Sequence, residues 1–141
     1  MCLITDWKTP HIAEEDIVCY KVYEDSWNGY ASPYIGSPIP KFNKITHVDC
    51  FQEKIVNNQC YYGFHSFKNR KDNRVIPAIV FSTRVFECII PKGTKYYKGI
   101  IDSTPEQFIP GYCSEALIVL SDNIKTSLLE KLKKFLSNLF L

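Results

Sequence analysis

The sequence lacks the features that mark membrane, secreted or nucleic-acid-binding proteins. No apolar run reaches the ~18 residues that a membrane-spanning helix needs. Residues 1–10 have neither the basic start nor the apolar stretch of a signal peptide. The net charge is only +2, and residues 122–141 account for all of it, so the remainder of the chain is neutral. We therefore expect no membrane partner and no nucleic-acid partner.

No Cys-x-x-Cys pair occurs among the six cysteines. Cys19 and Cys88 lie in apolar, strand-like runs, where a reduced thiol behaves as a small hydrophobic side chain. Together with the missing signal peptide, this pattern favours a reducing compartment and free thiols rather than three disulfides. The expected location is the cytoplasm.

Two short spacings, His47-x2-Cys50 and Cys60-x4-His65, would supply the ligands of a tetrahedral zinc site. The flanking residues are typical of strands, however, and no glycine adjoins the four ligands as it does in a zinc knuckle. We therefore predict no metal and no cofactor, with Cys50 and Cys60 as core thiols. Whether the four residues share a metal is left open by the sequence.

The order of apolar runs and breakers predicts one domain of class α+β over residues 1–141. An irregular arm over 1–16 precedes a strand over 17–23 and a long loop over 25–43 that is rich in glycine, proline and aromatic residues. The further predicted strands are 45–51, 60–64, 75–81, 84–90, 95–101 and 115–120. The expected architecture is a mostly antiparallel, twisted sheet or partly open barrel, with a type I turn over 90–93.

The last twenty residues differ in kind, because their apolar positions 124, 128, 132, 135 and 139 have helical spacing. This pattern predicts an amphipathic C-terminal helix over 122–141 that packs on the sheet. The alternative is a helix that mediates dimerisation, so we also allow for a homo-oligomer formed through residues 124–141.

The segment from Arg84 to Leu120 carries the most specific chemistry. Ile90-Pro91-Lys92-Gly93-Thr94-Lys95 ends one apolar run, and Ser114-Glu115-Ala116-Leu117-Ile118-Val119 begins another with a carboxylate. These two pieces resemble the C-terminal strands of the ADP-ribosyltransferase fold. The resemblance implies an NAD-dependent transferase in which Glu115 stabilises positive charge on the ribose. It departs from the family at Lys21, where an Arg or His is usual, and at His65-Ser66, which keeps one serine of a Ser-Thr-Ser strand.

The whole chain also resembles short proteins of unassigned activity from bacteriophages and gut Bacteroidetes. That resemblance, with the incomplete catalytic set, favours a small non-catalytic binding protein, such as a phage accessory or counter-defence factor in the host cytoplasm. We expect it to bind a small, nucleotide-like molecule or a host protein. The predicted ligand-binding residues are Lys21, His65, Ser66, Lys92, Tyr96 and Tyr97. The alternatives are a transferase that uses Glu115 and a virion or assembly component.

Overall fold

The computed structural model of the protein describes residues 2–26, 29–31, 39–70, 72, 83–102, 109–121, 133 and 135–137. Eleven strands in these ranges pair into one mostly antiparallel sheet that is not closed. The strands are β1 (Cys2–Ile4), β2 (His11–Ile12), β3 (Ile17–Ser26), β4 (Gly29–Ala31), β5 (Ile45–His47), β6 (Gln59–Cys60), β7 (Phe64–Phe67), β8 (Thr83–Ile90), β9 (Lys95–Asp102), β10 (Ile109–Ser114) and β11 (Ala116–Val119).

The longest pairing joins β3 to β8, from Ile17 opposite Ile90 to Glu24 opposite Thr83. Both strands are rich in β-branched and aromatic residues, which pack well on a pleated surface. Because side chains alternate between the two faces of a strand, each strand supplies both faces. We call the face that contains Cys19, Lys21 and Cys88 the Lys21 face. The opposite one, which contains Val22, is the Cys113 face.

The sheet consists of two halves that meet at one pairing. The first half runs β5-β11-β8-β3, and the second runs β7-β10-β9-β1-β6. Between β3 and β7 the register contains only the pair Tyr20 and Phe67. The chain passes from the second half to the first at Glu115, which follows β10 and precedes β11 and is not part of the β3–β7 pairing. Because β3 and β7 share only this pair, they diverge on either side of it. Backbone groups next to the pair are therefore not all bonded between these two strands.

The second half curls around the Cys113 face. Only residues 61–63 connect β6, at the outer end of this half, to β7 at its inner end. Side chains bridge the open seam between them, because His65 Nε2 lies 3.0 Å from the carbonyl oxygen of Cys60. The enclosed core contains Leu3, Val22, Ile55, Cys60, Phe67, Tyr97, Ile101, Ile109 and Cys113.

Two turns show why particular residues occupy them. Asn57 and Asn58 both have φ of 58° and connect Val56 to Gln59, as a type I′ turn requires. The turn after β8 differs from the predicted one by one residue. The amide of Thr94 donates to the carbonyl of Pro91, so Gly93 is the third residue and its φ of 88° suits a type II turn.

Several predictions about the elements were wrong or fall outside the described residues. The arm over 1–16 is not irregular throughout, since β1 and β2 both pair with β9. No strand was predicted between 101 and 115, yet this segment contains β10. The mostly antiparallel open sheet is confirmed, but of the predicted helix only positions 133 and 135–137 are described as helical. The predicted strand 75–81 and residues 27–28 and 32–38 of the predicted loop 25–43 lie outside the described residues, and within that loop β3 continues to Ser26 and β4 follows.

Candidate functional site

Lys21 lies where β3 and β7 diverge. Its Nζ donates to the carbonyl oxygen of His65 at 2.9 Å, so a side chain takes the place of a backbone pairing there. Nζ also lies 5.4 Å from the centre of the Tyr23 ring. Removal from water lowers the pKa of Lys21, while the side chain as a whole keeps some exposure. Among the described residues no carboxylate pairs with this ammonium group.

Two hydroxyl groups share the Lys21 face with this lysine. Ser66 stands opposite Tyr112, and Ser114 stands opposite Phe64, on the paired strands β7 and β10. Both serines are completely buried, and in the described part of the chain neither Oγ has a hydrogen-bond partner of good geometry. A buried hydroxyl without a partner costs about 1–3 kcal/mol. Such a group is therefore expected to be satisfied by something that binds there.

Neutral thiols and aromatic rings surround these polar groups. Burial raises the pKa of Cys19 to about 12, although the nearby Ser66 hydroxyl and Lys21 oppose the rise. Burial likewise raises the pKa of Cys88 well above its ordinary value. These thiols cannot act as counter-ions at neutral pH. Apolar residues packed around them include Phe42, Phe64, Tyr96 and Tyr112. We call Lys21, Ser66 and Ser114 the cationic site.

The other predicted ligand-binding residues do not all join the cationic site. His65 and Tyr97 belong to the Cys113 face, because each alternates with a residue of the Lys21 face, Ser66 and Tyr96 respectively. Burial lowers the pKa of His65 to about 4. The Tyr97 hydroxyl donates to the carbonyl oxygen of Gln52 at 2.5 Å, and burial raises its pKa to about 12.

Glu115 and Lys92 occupy two further places. Glu115 is half-buried between β10 and β11, where its amide donates to the Lys95 carbonyl and its carbonyl accepts from the Val48 amide. Its carboxylate contributes to the raised pKa of Lys95, after the larger effect of Glu53. The Lys92 amide, in the turn after β8, donates to the Asp16 carboxylate at 2.8 Å. The structure thus brings Lys21 and Ser66 onto one face, whereas Glu115 lies beside Lys95 at the start of β9.

A groove beside the N-terminal strands was not anticipated. Trp7 stacks on His11 with ring centroids 3.6 Å apart, and Tyr96 meets Trp7 edge-on. Two cavities of about 700 and 740 Å³ share His11, Ile12 and Glu14 in their linings. Glu15 and Asp16 add negative charge, and Ile12 is 54% exposed. We call this the aromatic groove. The isolated position of Trp7 in a polar segment was the one sequence signal for it.

The next observations concern the predicted metal ligands and the predicted C-terminal helix. Over the ranges that the structure describes, no group of three or more His, Cys, Asp or Glu side chains is arranged to hold a metal ion. Cys60 is a buried thiol as predicted, but Cys50 is exposed, so its prediction as a core thiol was wrong; His47 is exposed and His65 is buried. In the same ranges no helix has the length and apolarity needed to cross a membrane. Of the predicted oligomerisation segment, Phe135 is 60% exposed.

Comparison of the chain with protein-family models, with curated proteins and with solved structures finds no match.

Proposed function

We propose that the protein is a small binding protein that holds an anionic, nucleotide-like ligand at the cationic site. The observation that carries the proposal is an ammonium group that pairs with no described carboxylate, on the same face as two buried hydroxyls that make no hydrogen bond of good geometry with a described group. A phosphate group accepts hydrogen bonds through several oxygens and carries the complementary charge. One such group would satisfy Lys21, Ser66 and Ser114 together.

The protonation of Lys21 supports this choice of ligand. A cation that has lost water contacts is destabilised, which is why the pKa of Lys21 is lowered. An anion bound beside it would raise that pKa again and remove the penalty. The aromatic rings of Tyr96 and Tyr112, 6.2 Å apart on the same face, offer surfaces against which a planar base could pack.

The experiment is isothermal titration calorimetry with ADP, NAD⁺ and inorganic pyrophosphate as separate probes. We expect at least one probe to bind, and Lys21→Met to weaken it by tenfold or more, because the charge is lost while the side-chain volume is kept. Lys54→Met is the matched control, since Lys54 is exposed and precedes Ile55, which packs on the opposite, Cys113 face. No binding by any probe at millimolar concentration, or equal binding by Lys21→Met, would contradict the proposal.

An ADP-ribosyltransferase-like activity is the second candidate. It is supported by the sequence resemblance of residues 84–120 and by the placement of Lys21 and Ser66 on one face of the sheet. NAD⁺ turnover followed by chromatography of released nicotinamide tests it. Glu115→Gln should abolish turnover and retain binding, with Glu15→Gln as the exposed control. A wild-type protein that binds NAD⁺ without cleaving it would exclude this candidate and leave the binding function standing.

A host-protein partner is the other part of the binding hypothesis, and the aromatic groove is the surface that suits it. Its carboxylates and exposed Ile12 fit a partner segment that carries basic and apolar side chains. Binding of a fluorescent arginine- and leucine-containing peptide, weakened by Ile12→Asp and by added salt, would support this surface. The phage accessory or counter-defence role and the assembly role remain predictions from the sequence.

A further inference from the structure

Cys60 and Cys113 bring two sulfur atoms together inside the second half of the sheet. Their Sγ atoms are 3.1 Å apart, and both side chains are completely buried. A covalent S–S bond is about 2.05 Å long, so a displacement of about 1 Å would join them. The two residues lie on β6 and β10, which are separated in the sheet by β9 and β1. The two sulfur atoms can meet only because this half of the sheet curls and brings β6 close to β10.

The surrounding backbone holds the two thiols in place. Cys60 stands opposite Leu3, and its carbonyl oxygen lies 3.0 Å from His65 Nε2. Cys113 stands opposite His65 on one side and Tyr97 on the other. The contact therefore belongs to fixed strands rather than to a loop that can swing away.

Gly63 provides the space for the pair. A Cβ atom at this position would lie 2.5 Å from Cys113 Sγ, and the φ of 146° is one that L-residues rarely adopt. The carbonyl oxygen of Tyr62 lies 3.5 Å from Cys113 Sγ and 3.9 Å from Cys60 Sγ, within reach of either thiol as an acceptor. A residue with a side chain at position 63 would therefore collide with the Cys113 sulfur atom.

The two thiols have unequal acidity, as a reacting pair needs. The hydrogen bond with Cys113 lowers the pKa of Cys60, against the opposing effect of burial. The same hydrogen bond and burial raise the pKa of Cys113 well above its ordinary value. Cys60 is therefore the better nucleophile, and Cys113 keeps its proton until the second step.

We propose that Cys60 and Cys113 form an oxidation site that closes into an intramolecular disulfide when a peroxide reaches it. The Cys60 thiolate attacks one peroxide oxygen and breaks the O–O bond, and the released hydroxide takes a proton to become water. Cys60 is then a sulfenic acid. Cys113 sulfur attacks the Cys60 sulfur, its proton joins the departing hydroxide, and a second water leaves. The two sulfurs together give two electrons to the peroxide.

A small oxidant is required because both thiols are buried, and hydrogen peroxide is close to water in size. The disulfide would tie β6 to β10 across the open seam and close a loop between residues 53 positions apart. The proposal is independent of the cationic site, because its readout is a covalent bond and needs no ligand.

The other described cysteines supply internal controls. Cys19 and Cys88 also face each other, on β3 and β8, but burial raises the pKa of both thiols. Cys50 is exposed and has no neighbouring thiol among the described residues. We expect hydrogen peroxide to oxidise Cys50 singly, to link Cys60 with Cys113, and to leave Cys19 and Cys88 reduced.

The test begins with reduced protein prepared without oxygen, treated with hydrogen peroxide, alkylated and digested without reductant for peptide mass mapping. The expected result is a Cys60–Cys113 linked peptide that dithiothreitol separates. In Cys113→Ser, dimedone should label Cys60 as its sulfenic acid, whereas Cys88→Ser should still form the link. The proposal would be overturned if Cys60 and Cys113 both stayed reduced after Cys50 had been oxidised, or if Cys19 and Cys88 became linked and Cys60 and Cys113 did not. Both results are read from the wild-type protein, so they do not depend on the folding of a variant.

Discussion

Acidification should destabilise the protein through His65. This imidazole is 7% exposed, with its Nε2 on the Cys60 carbonyl oxygen, and burial lowers its pKa from 6.5 to about 4. The nearby Lys21 charge acts in the same direction. In the unfolded chain the imidazole takes up its proton near pH 6.5, whereas in the folded protein it stays neutral until about pH 4. Protons therefore favour the unfolded state between these two values.

The magnitude follows from the difference between the two pKa values. At about 1.4 kcal/mol per pH unit, the shift from 6.5 to about 4 corresponds to a loss of about 3 kcal/mol. The loss begins as the pH falls below 6.5 and is complete near pH 4. A typical denaturant slope of about 1–3 kcal/mol per molar urea converts it into a midpoint shift of roughly 1 M or more.

The assay is urea unfolding, followed by circular dichroism at several pH values from 7 to 4. His65→Gln removes the titrating ring and keeps an amide that can donate to the Cys60 carbonyl. Its free energy of unfolding at pH 7 is expected to be lower than that of the wild type. Between pH 7 and pH 4, however, it should lose about 3 kcal/mol less than the wild type loses. His47→Gln, at an exposed position, should follow the wild type. Equal pH dependence in the wild type and His65→Gln would refute the reasoning.

Three further predictions concern the sheet and its buried groups. Gly99→Ala should lower the thermal midpoint by roughly 10 °C, because its Cβ would lie 2.0 Å from the Ile4 carbonyl oxygen and separate β1 from β9; an unchanged midpoint would contradict this packing. Tyr97→Phe should cost about 1 kcal/mol in urea unfolding through loss of the bond to Gln52. Between neutral pH and pH 10 the wild type should gain stability relative to Lys21→Met, because the lowered pKa of Lys21 makes its proton favour the unfolded state; parallel curves would disprove this.

The strands that the sequence predicted well are those with a continuous apolar or β-branched pattern. Predicted 17–23, 84–90 and 95–101 correspond to β3, β8 and β9. The strand β10 was missed because Pro110 and Gly111 are typical of turns. Gly111 is needed for packing instead, since a Cβ there would lie 2.5 Å from the Ile101 side chain and 2.6 Å from the Ser66 carbonyl oxygen.

The N-terminal strands could not be predicted because their pairing is wholly non-local. β1 and β2 have three and two residues, too few for a periodic pattern, and their partner is β9 near the other end of the described chain. Only two of the three residues of the cationic site were predicted, because the third is identified by non-local packing. Lys21 and Ser66 stood out by their residue types, but Ser114 acquires its significance only through burial without a partner.

Predicting which residues share a face required the register. His65 and Ser66 are adjacent in sequence and were assigned to one ligand site, yet adjacent strand residues point to opposite faces. The same holds for Tyr96 and Tyr97. Sequence patterns identified these residues as unusual, and the pairing of β7 with β10 and of β9 with β10 determined which of them lie near Lys21.

The position of β1 has a consequence for synthesis on the ribosome. β1 lies between β9 and β6, and just after it the Thr5 hydroxyl donates to the Lys98 carbonyl, 93 positions later. β1 is therefore made about ninety residues before β9, and until then it has only the short strand β6 as a pairing partner. Such late closure slows folding and leaves strand edges open to aggregation. During that interval, a nascent-chain chaperone would protect the yield of native protein.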